Sequence, residues 1–214
     1  FHLIGKDILT THAVYWPTML LAAGIPMPIT IFAHGWWMSE GRKMSKSLGN
    51  FIDLATIREH IENVGRDAFS YYLVKEGPLL GDSDFSRERF YQTYNTELAN
   101  DLGNLVNRVS ALIHKYFEGK VPPAGEPDKA DNTLAEDFEK MVVTVWDHLD
   151  KLEMNSLIFA IISYIRRLNQ YMERKAPWKQ AKRDLAAAGT TLYYALAGLR
   201  GAVILLQPVL PAKA

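Results

Sequence analysis

Four stretches of apolar residues recurring at helical spacing fill the second half of the chain, and they leave it few ways to fold. Leu98, Leu102, Leu105, Val109, Leu112, Ile113 and Tyr116 form the first, which ends near Gly119 and Pro122-Pro123. Phe138, Met141, Val145, Leu149 and Leu152 form the second, with Thr133-x-x-Glu136 predicted as the capping box that opens it. The third runs through Leu157, Ala160, Ile161, Tyr164, Ile165, Leu168 and Met172 to a stop at Pro177. The fourth runs through Leu192, Leu196, Leu199, Val203 and Leu206 to Pro208. Each stripe has to be covered, and short or Pro/Gly-rich links predict antiparallel neighbours in a helical bundle, with 121–132 the loosest link.

The first half has a different grammar. Phe1 to Ile4 reads as a strand, the pattern Ile8, Val14, Trp16, Met19, Leu20 and Ala23 as a helix stopped at Gly24, and Ile29 to Ala33 as a second strand. Strand, helix, strand of this length is a βαβ unit, whose parallel strands gather ligands at their carboxyl ends. Those ends carry Gly5-Lys6-Asp7 and His34-Gly35. The fold class expected is therefore an α/β remnant of a Rossmann-type domain followed by a mainly helical bundle.

A few residues beyond His34-Gly35 comes Gly41-Arg42-Lys43-Met44-Ser45-Lys46-Ser47-Leu48-Gly49-Asn50. Two lysines three apart, among hydroxyls and closed by Gly-Asn, place two cationic donors on a segment that can fold over a polyphosphate. The spacing alone is also an ordinary solvated surface pattern.

Other residues carry two readings each. His12 and Trp16 share a helical face and can line a pocket or sit as a core pair, and Asp7 can accept from a ligand or cap a helix. Asn104 and Arg108 are a helix pair four apart, and Trp178 follows Pro177 as either a cap on the core or a stacking plane. Trp36-Trp37 reads as packing under the lysine loop, and His2, His60, His114 and His148 as structural or surface residues without ligand spacing.

With 24 basic and 24 acidic residues the formal net charge is zero, so any contact to nucleic acid has to come from local clusters such as Arg42-Lys43-Lys46 and Lys175-Lys179-Lys182-Arg183. The absence of cysteine excludes disulfides and Cys-based zinc sites within these residues and fits a reducing, cytoplasmic setting. No apolar run is expected to span a membrane, and the start at Phe1 reads as a piece of something longer.

Taken as strings, Gly5-Lys6-Asp7-Ile8, His12-x-x-x-Trp16-Pro17-x-Met19-Leu20, His34-Gly35 and Lys43-Met44-Ser45-Lys46-Ser47 occur in the order and spacing of methionyl-tRNA synthetases. Gly65-x-Asp67, Tyr71-Tyr72-Leu73, Asp84 with Phe90, Asn104-x-x-x-Arg108 and Ala176-Pro177-Trp178 extend that resemblance over most of the chain. Thr10, Thr11 and Ser70 depart from the usual family residues. His-Ile-Gly-His, the family's other nucleotide signature, does not occur, so the residues present are expected not to activate an amino acid alone.

The resemblance implies three parts: 1–37 as the end of the catalytic domain, 38–90 as the lysine loop and stem-contact subdomain, and 91–214 as the anticodon-binding domain. It implies an aminoacyl-tRNA ligase using ATP and Mg²⁺, with methionine and tRNA(Met) as partners, and leaves oligomeric state open. It assigns catalysis to Lys43 and Lys46 and ATP contacts to those residues with Met44, Ser45, Ser47, Asp7, His34 and Gly35. His12 and Trp16 become walls of the methionine pocket, and Asn104, Arg108, Pro177 and Trp178 readers of the anticodon. Zinc belongs, in this family, to a connective region these residues do not include. A non-catalytic tRNA-binding protein, or a cysteinyl, valyl or leucyl relative, are the competing readings.

Overall fold

The computed structural model describes residues 1–39, 41–79 and 81–214. Strand β1 (His2–Gly5) pairs parallel with β2 (Ile31–His34), Gly5 opposite His34. The connection is less regular than its periodicity suggests: a 3₁₀ turn (Lys6–Ile8) and a π-helical turn (Thr11–Tyr15) precede α1 (Trp16–Ala22), where Pro17 occupies the first turn. The Trp16 N–H donates to the Thr11 carbonyl, so α1 continues from the π turn, and Pro17, which has no N–H of its own, sits where the regular ladder is already interrupted.

A second sheet begins directly after β2. β3 (Trp37–Ser39) pairs antiparallel with β4 (Arg42–Lys43) and parallel with β5 (Ser83–Phe85). Helices α2 (Leu54–Val64) and α3 (Arg66–Lys75) fill the crossover between β3 and β5. Phe69, Tyr72, Phe85 and Phe90 make a small aromatic core here, with Trp37, Met44 and Ile61 packed against it. His60 is inaccessible within it, its ring 4.9 Å from that of Phe90, and burial, with Arg87 nearby, holds its pKa below the usual histidine value.

The bundle begins with one continuous helix: α4 (Arg87–Thr93), a π-helical stretch (Tyr94–Gly103) and α5 (Asn104–Phe117). Its partners are α6 (Lys129–Asp150), α7 (Met154–Lys175), the short α8 (Pro177–Gln180) and α9 (Leu185–Leu206). Leu105, Val109, Ile161, Ile165, Leu168, Leu192 and Leu199 from the predicted stripes are all in its core. At roughly 1.5–3 kcal/mol for each fully buried large aliphatic, this core dominates the stability of the chain. Cβ atoms at Gly198 and Gly201 would collide with Tyr164 and Phe138, so small residues on α9 are what let α6 and α7 approach it.

Three expectations need correction. The capping box of α6 is Asp128 with Asp131, not Thr133 with Glu136: Asp128 accepts from the N–H groups of Ala130 and Asp131, and Thr133 lies inside the helix bonding back to Lys129. Leu152 does not extend the second stripe, because α6 ends at Asp150 and Leu152 takes φ 60° in the turn to α7. Helix α9 starts earlier than its stripe, at Leu185, capped by Asp184, and is long and apolar enough to cross a membrane by length and composition. Half of its most apolar window is buried, Ala188, Leu192, Ala195 and Ala202 completely, so the bundle accounts for that composition.

Candidate functional site

The carboxyl ends of β1 and β2 and the lysine loop do meet. Lys6 Nζ lies 4.3 Å and Lys43 Nζ 4.0 Å from the centre of the Trp36 ring, so both cations share one indole. Gly35, buried, spends its N–H on the Pro78 carbonyl at 2.7 Å, and a Cβ there would collide with the Gly81 carbonyl. His34 uses Nδ1 against the Gly35 carbonyl at 2.8 Å, which leaves Nε2 as its remaining polar atom. Asp7 is exposed in the 3₁₀ turn and makes no cap hydrogen bond.

The loop is braced rather than loose. Asn50 Oδ1 accepts from the Ser45 N–H at 2.9 Å, while its Nδ2 donates to the carbonyls of Ser39 and Lys43, both at 3.3 Å. Ser45 and Ser47 hydroxyls bond each other at 2.7 Å, and Met44 packs on the aromatic core below. Lys46 opens a 3₁₀ turn (Lys46–Leu48) that ends on Gly49 at φ 68°, and Gly41 takes the same φ in the β3–β4 turn. Left-handed backbone at both ends explains glycine there. Asp84 Oδ1 accepts from the Gly41 N–H at 3.0 Å, tying the hairpin to β5. No ion pair joins Lys43 or Lys46 to a carboxylate among the described residues, and Lys46 lies 5.8 Å from the Phe51 ring.

His12 and Trp16 come together through a residue the sequence reading passed over. The His2 ring stands edge-on to His12 at 6.1 Å and tilted to Trp16 at 6.4 Å, while His12 Nδ1 bonds the Ile8 carbonyl at 3.1 Å. His2 Nδ1 is buried without a partner among the described residues. Nothing in the string Phe1-His2-Leu3 marks it; only the register of β1 beside the helix does.

At the other end, Arg108 on α5 lies 5.3 Å from the Trp178 ring and pairs with Glu173 at 2.7 Å. Trp178 is half-buried in α8, which follows α7 through Ala176 in left-handed conformation (φ 45°), with buried Pro177 at its first position. Asn104 is exposed on the turn before Arg108 and meets Asn100 at 3.4 Å. Lys175, expected among the basic residues facing phosphate, is not available: it bonds Asp128 at 2.7 Å and Asp131 at 3.0 Å with its side chain mostly covered. Tyr171 donates to the same Asp131 at 2.7 Å. Among the described residues no group of three His, Cys, Asp or Glu could hold a metal ion.

Comparison with known proteins addresses both halves. Residues 1–110 match the family described as tRNA synthetases class I (M), and residues 121–214 the anticodon binding domain of methionyl tRNA ligase. The methionine–tRNA ligase of Caldanaerobacter subterraneus is 38% identical over 98% of this chain and 33% of its own length. That of Brucella suis is 39% identical over 100% of this chain and 41% of its own length. The solved structure of the Mycobacterium tuberculosis methionyl-tRNA synthetase in complex with methionyl-adenylate superposes with a TM-score of 0.92 at 39% identity, over 99% of this chain and 42% of that one. The chain thus spans about a third to two-fifths of the length of these relatives. With half of its residues matched to the synthetase family and nearly all the rest to that family's anticodon-binding domain, the chain belongs to the methionine group of class I tRNA synthetases.

Proposed function

We propose that the polypeptide to which these residues belong is a methionine–tRNA ligase, joining methionine to the α-phosphate of ATP as methionyl-adenylate and passing the methionyl group to tRNA(Met). The observation that carries this reading is the pairing, in one chain, of a braced lysine loop beside parallel strand ends with an Arg108–Trp178 platform on a helical bundle. A protein that only bound RNA would have no use for the first. Residues 1–37 then form the end of the catalytic domain, 38–90 the loop and stem-contact part, and 91–214 the anticodon reader, working in the cytoplasm.

Lys43 and Lys46 neutralise the pyrophosphate as charge builds on it, with the Ser45 and Ser47 hydroxyls donating and Met44 anchoring the loop from beneath. Their reach depends on Gly41 and Gly49, the two points where the loop can turn. His34 offers Nε2 to the nucleotide, Gly35 gives the close backbone passage beside it, and Asp7 accepts from the ribose or the substrate ammonium. His12 and Trp16 wall the methionine side chain, whose sulfur suits ring edges. Mg²⁺, when bound with ATP, would share the phosphate charge with Lys43 and Lys46.

In the bundle, Trp178 offers a stacking plane for an unpaired base of the CAU anticodon, and Arg108 and Asn104 offer hydrogen bonds to base edges. Pro177 fixes the plane by starting α8.

Amino-acid-dependent ATP–pyrophosphate exchange tests the reading, run on the full-length polypeptide beside the 214-residue chain. Exchange with methionine alone in the full-length protein, none in the shorter chain, and a loss of roughly 10²–10³ for Lys46→Ala are expected. Exchange driven by cysteine, valine or leucine would overturn the pocket assignment to His12 and Trp16; no exchange at all would leave a tRNA-binding protein.

A further inference from the structure

Two adjacent tryptophans precede the lysine loop, and they do different things. Trp37 faces the aromatic core, stacked on Tyr72 at 6.3 Å and edge-on to Phe85 at the same distance. Trp36, one residue earlier and so on the other side of the extended backbone, meets Lys6 and Lys43 instead. Its backbone is held at both polar atoms: the N–H donates to Asp82 Oδ1 at 2.9 Å, and the carbonyl accepts from the Ser83 N–H at 3.0 Å. The tight passage of Gly35 past Gly81 fixes the residue before it. The Trp36 backbone is therefore held by Asp82 and Ser83, independently of the loop.

Lys43 has its backbone fixed as well, opposite Met38 in the hairpin and through Asn50 at its carbonyl. What remains free is its long side chain, and an ammonium over an indole face is attracted by the ring's quadrupole. Two ammoniums on one ring would repel, but Lys6 is neutralised by Asp82 at 2.5 Å. The same carboxylate thus anchors the Trp36 backbone and offsets the competing charge.

We propose that Trp36 is a positioning residue for Lys43, holding its ammonium at the strand ends, with Asp82 anchoring the Trp36 backbone and pairing with Lys6. This rests on the phosphate role of Lys43 proposed above. The ring touches no reacting atom; it acts by narrowing where Lys43 can be when pyrophosphate begins to leave.

The test uses the full-length enzyme with Trp36→Leu, Trp36→Phe, Lys43→Ala and the double variant Trp36→Leu/Lys43→Ala, read by methionine-dependent pyrophosphate exchange and by thermal unfolding. Trp36→Leu should lower kcat about tenfold with the KM for ATP within about twofold, and Trp36→Phe, which keeps a π face, should stay within about threefold of wild type. In the Lys43→Ala background Trp36→Leu should change nothing further, since the two act as one unit. An equal loss from Trp36→Leu with and without Lys43, or a Phe variant as poor as Leu at unchanged melting temperature, would overturn the proposal alone. A silent Lys43→Ala would overturn the phosphate role of that lysine and this inference with it.

Discussion

Trp178 illustrates how single residues get their job from a backbone decision made next door. The left-handed turn at Ala176 and the buried Pro177 end α7 and restart the chain as α8, which sets the indole beside Arg108. Base stacking on such a plane is worth roughly 1–3 kcal/mol, so Trp178→Ala should lower kcat/KM for tRNA charging by about 5- to 150-fold. Methionine-dependent pyrophosphate exchange should change by less than about twofold, because the proposed nucleotide contacts all lie between Asp7 and Ser47. Measured side by side in the full-length enzyme, equal losses in both assays would sink the assignment of Trp178 to the anticodon. Residues of this kind were readable in advance, as types in a characteristic string. The partners of Lys175 and Trp36 were not, because they come from separate segments that only the fold brings together. Lys175 is claimed by Asp128, 47 residues earlier, and Trp36 by cations on both sides of it, one of them held by Asp82. A charge count treats each lysine as free until its partner is found.

Periodicity carried the elements well where burial decides them, as in the apolar stripes of α5, α6, α7 and α9. It failed where a polar contact decides. The π-helical stretch Tyr94–Gly103 widens the first bundle helix around Glu97, a buried carboxylate that bonds Tyr71 and Lys75, and no local pattern announces it. The start of α6 is another such place, since Asp128 both caps the helix and holds Lys175. The hydrogen bond from Lys175 is the chief cause that lowers the Asp128 pKa to about 2, below the unfolded value of about 3.9. A depressed carboxylate stabilises the fold above its unfolded pKa and loses that contribution as pH falls through the folded one, here between about pH 4 and 2. Asp128 is more than half exposed, so solvent screening reduces the effect to about 1 kcal/mol. Asp128→Asn keeps an N-cap of equal quality and removes only the charge. Urea unfolding should therefore find the variant less stable than wild type by about 1 kcal/mol at pH 7 and nearly equal to it at pH 2; a gap independent of pH would mean that the cap, not the charge, carries the contribution.

At the scale of the whole molecule, α3 is tied to the bundle by a cluster of polar contacts around Glu97. Glu97 accepts from Tyr71 at 2.7 Å and Lys75 at 2.5 Å, both on α3, and meets Arg166 of α7 at 3.4 Å. Arg166 also bonds Asp101 at 2.7 Å, and Asn169 donates to the Asp101 carbonyl at 2.8 Å. Asp67 at the start of α3 accepts from the Ala212 N–H at 2.9 Å, bringing the last residues of the chain onto the same subdomain. Burial, reinforced by Glu97, pushes the Tyr71 hydroxyl far above its usual pKa, so it stays a donor throughout the physiological range. Helix α3 supplies Phe69 and Tyr72 to the aromatic core under the loop and Tyr71 to the bundle core, so this cluster lies where the two cores adjoin. Removing the carboxylate leaves a mostly covered ammonium and a buried hydroxyl without their acceptor, a loss of about 3–5 kcal/mol for a buried pair. Part of that is recovered by Glu76, which lies 3.8 Å from Lys75. Glu97→Ala should then lower the melting temperature by about 6–15 °C for a chain of this size. It should also separate two signals that coincide in the parent: tryptophan fluorescence, read in a background with Trp146 and Trp178 of the bundle replaced by Phe, and far-ultraviolet dichroism, weighted by the bundle. Leu192→Ala, a cavity in the bundle core on α9, which supplies no residue to this cluster, serves as the control, because it should lower both transitions together. Coincident transitions in Glu97→Ala, shifted no more than a surface substitution would shift them, would show that apolar packing rather than this carboxylate joins the loop to the bundle.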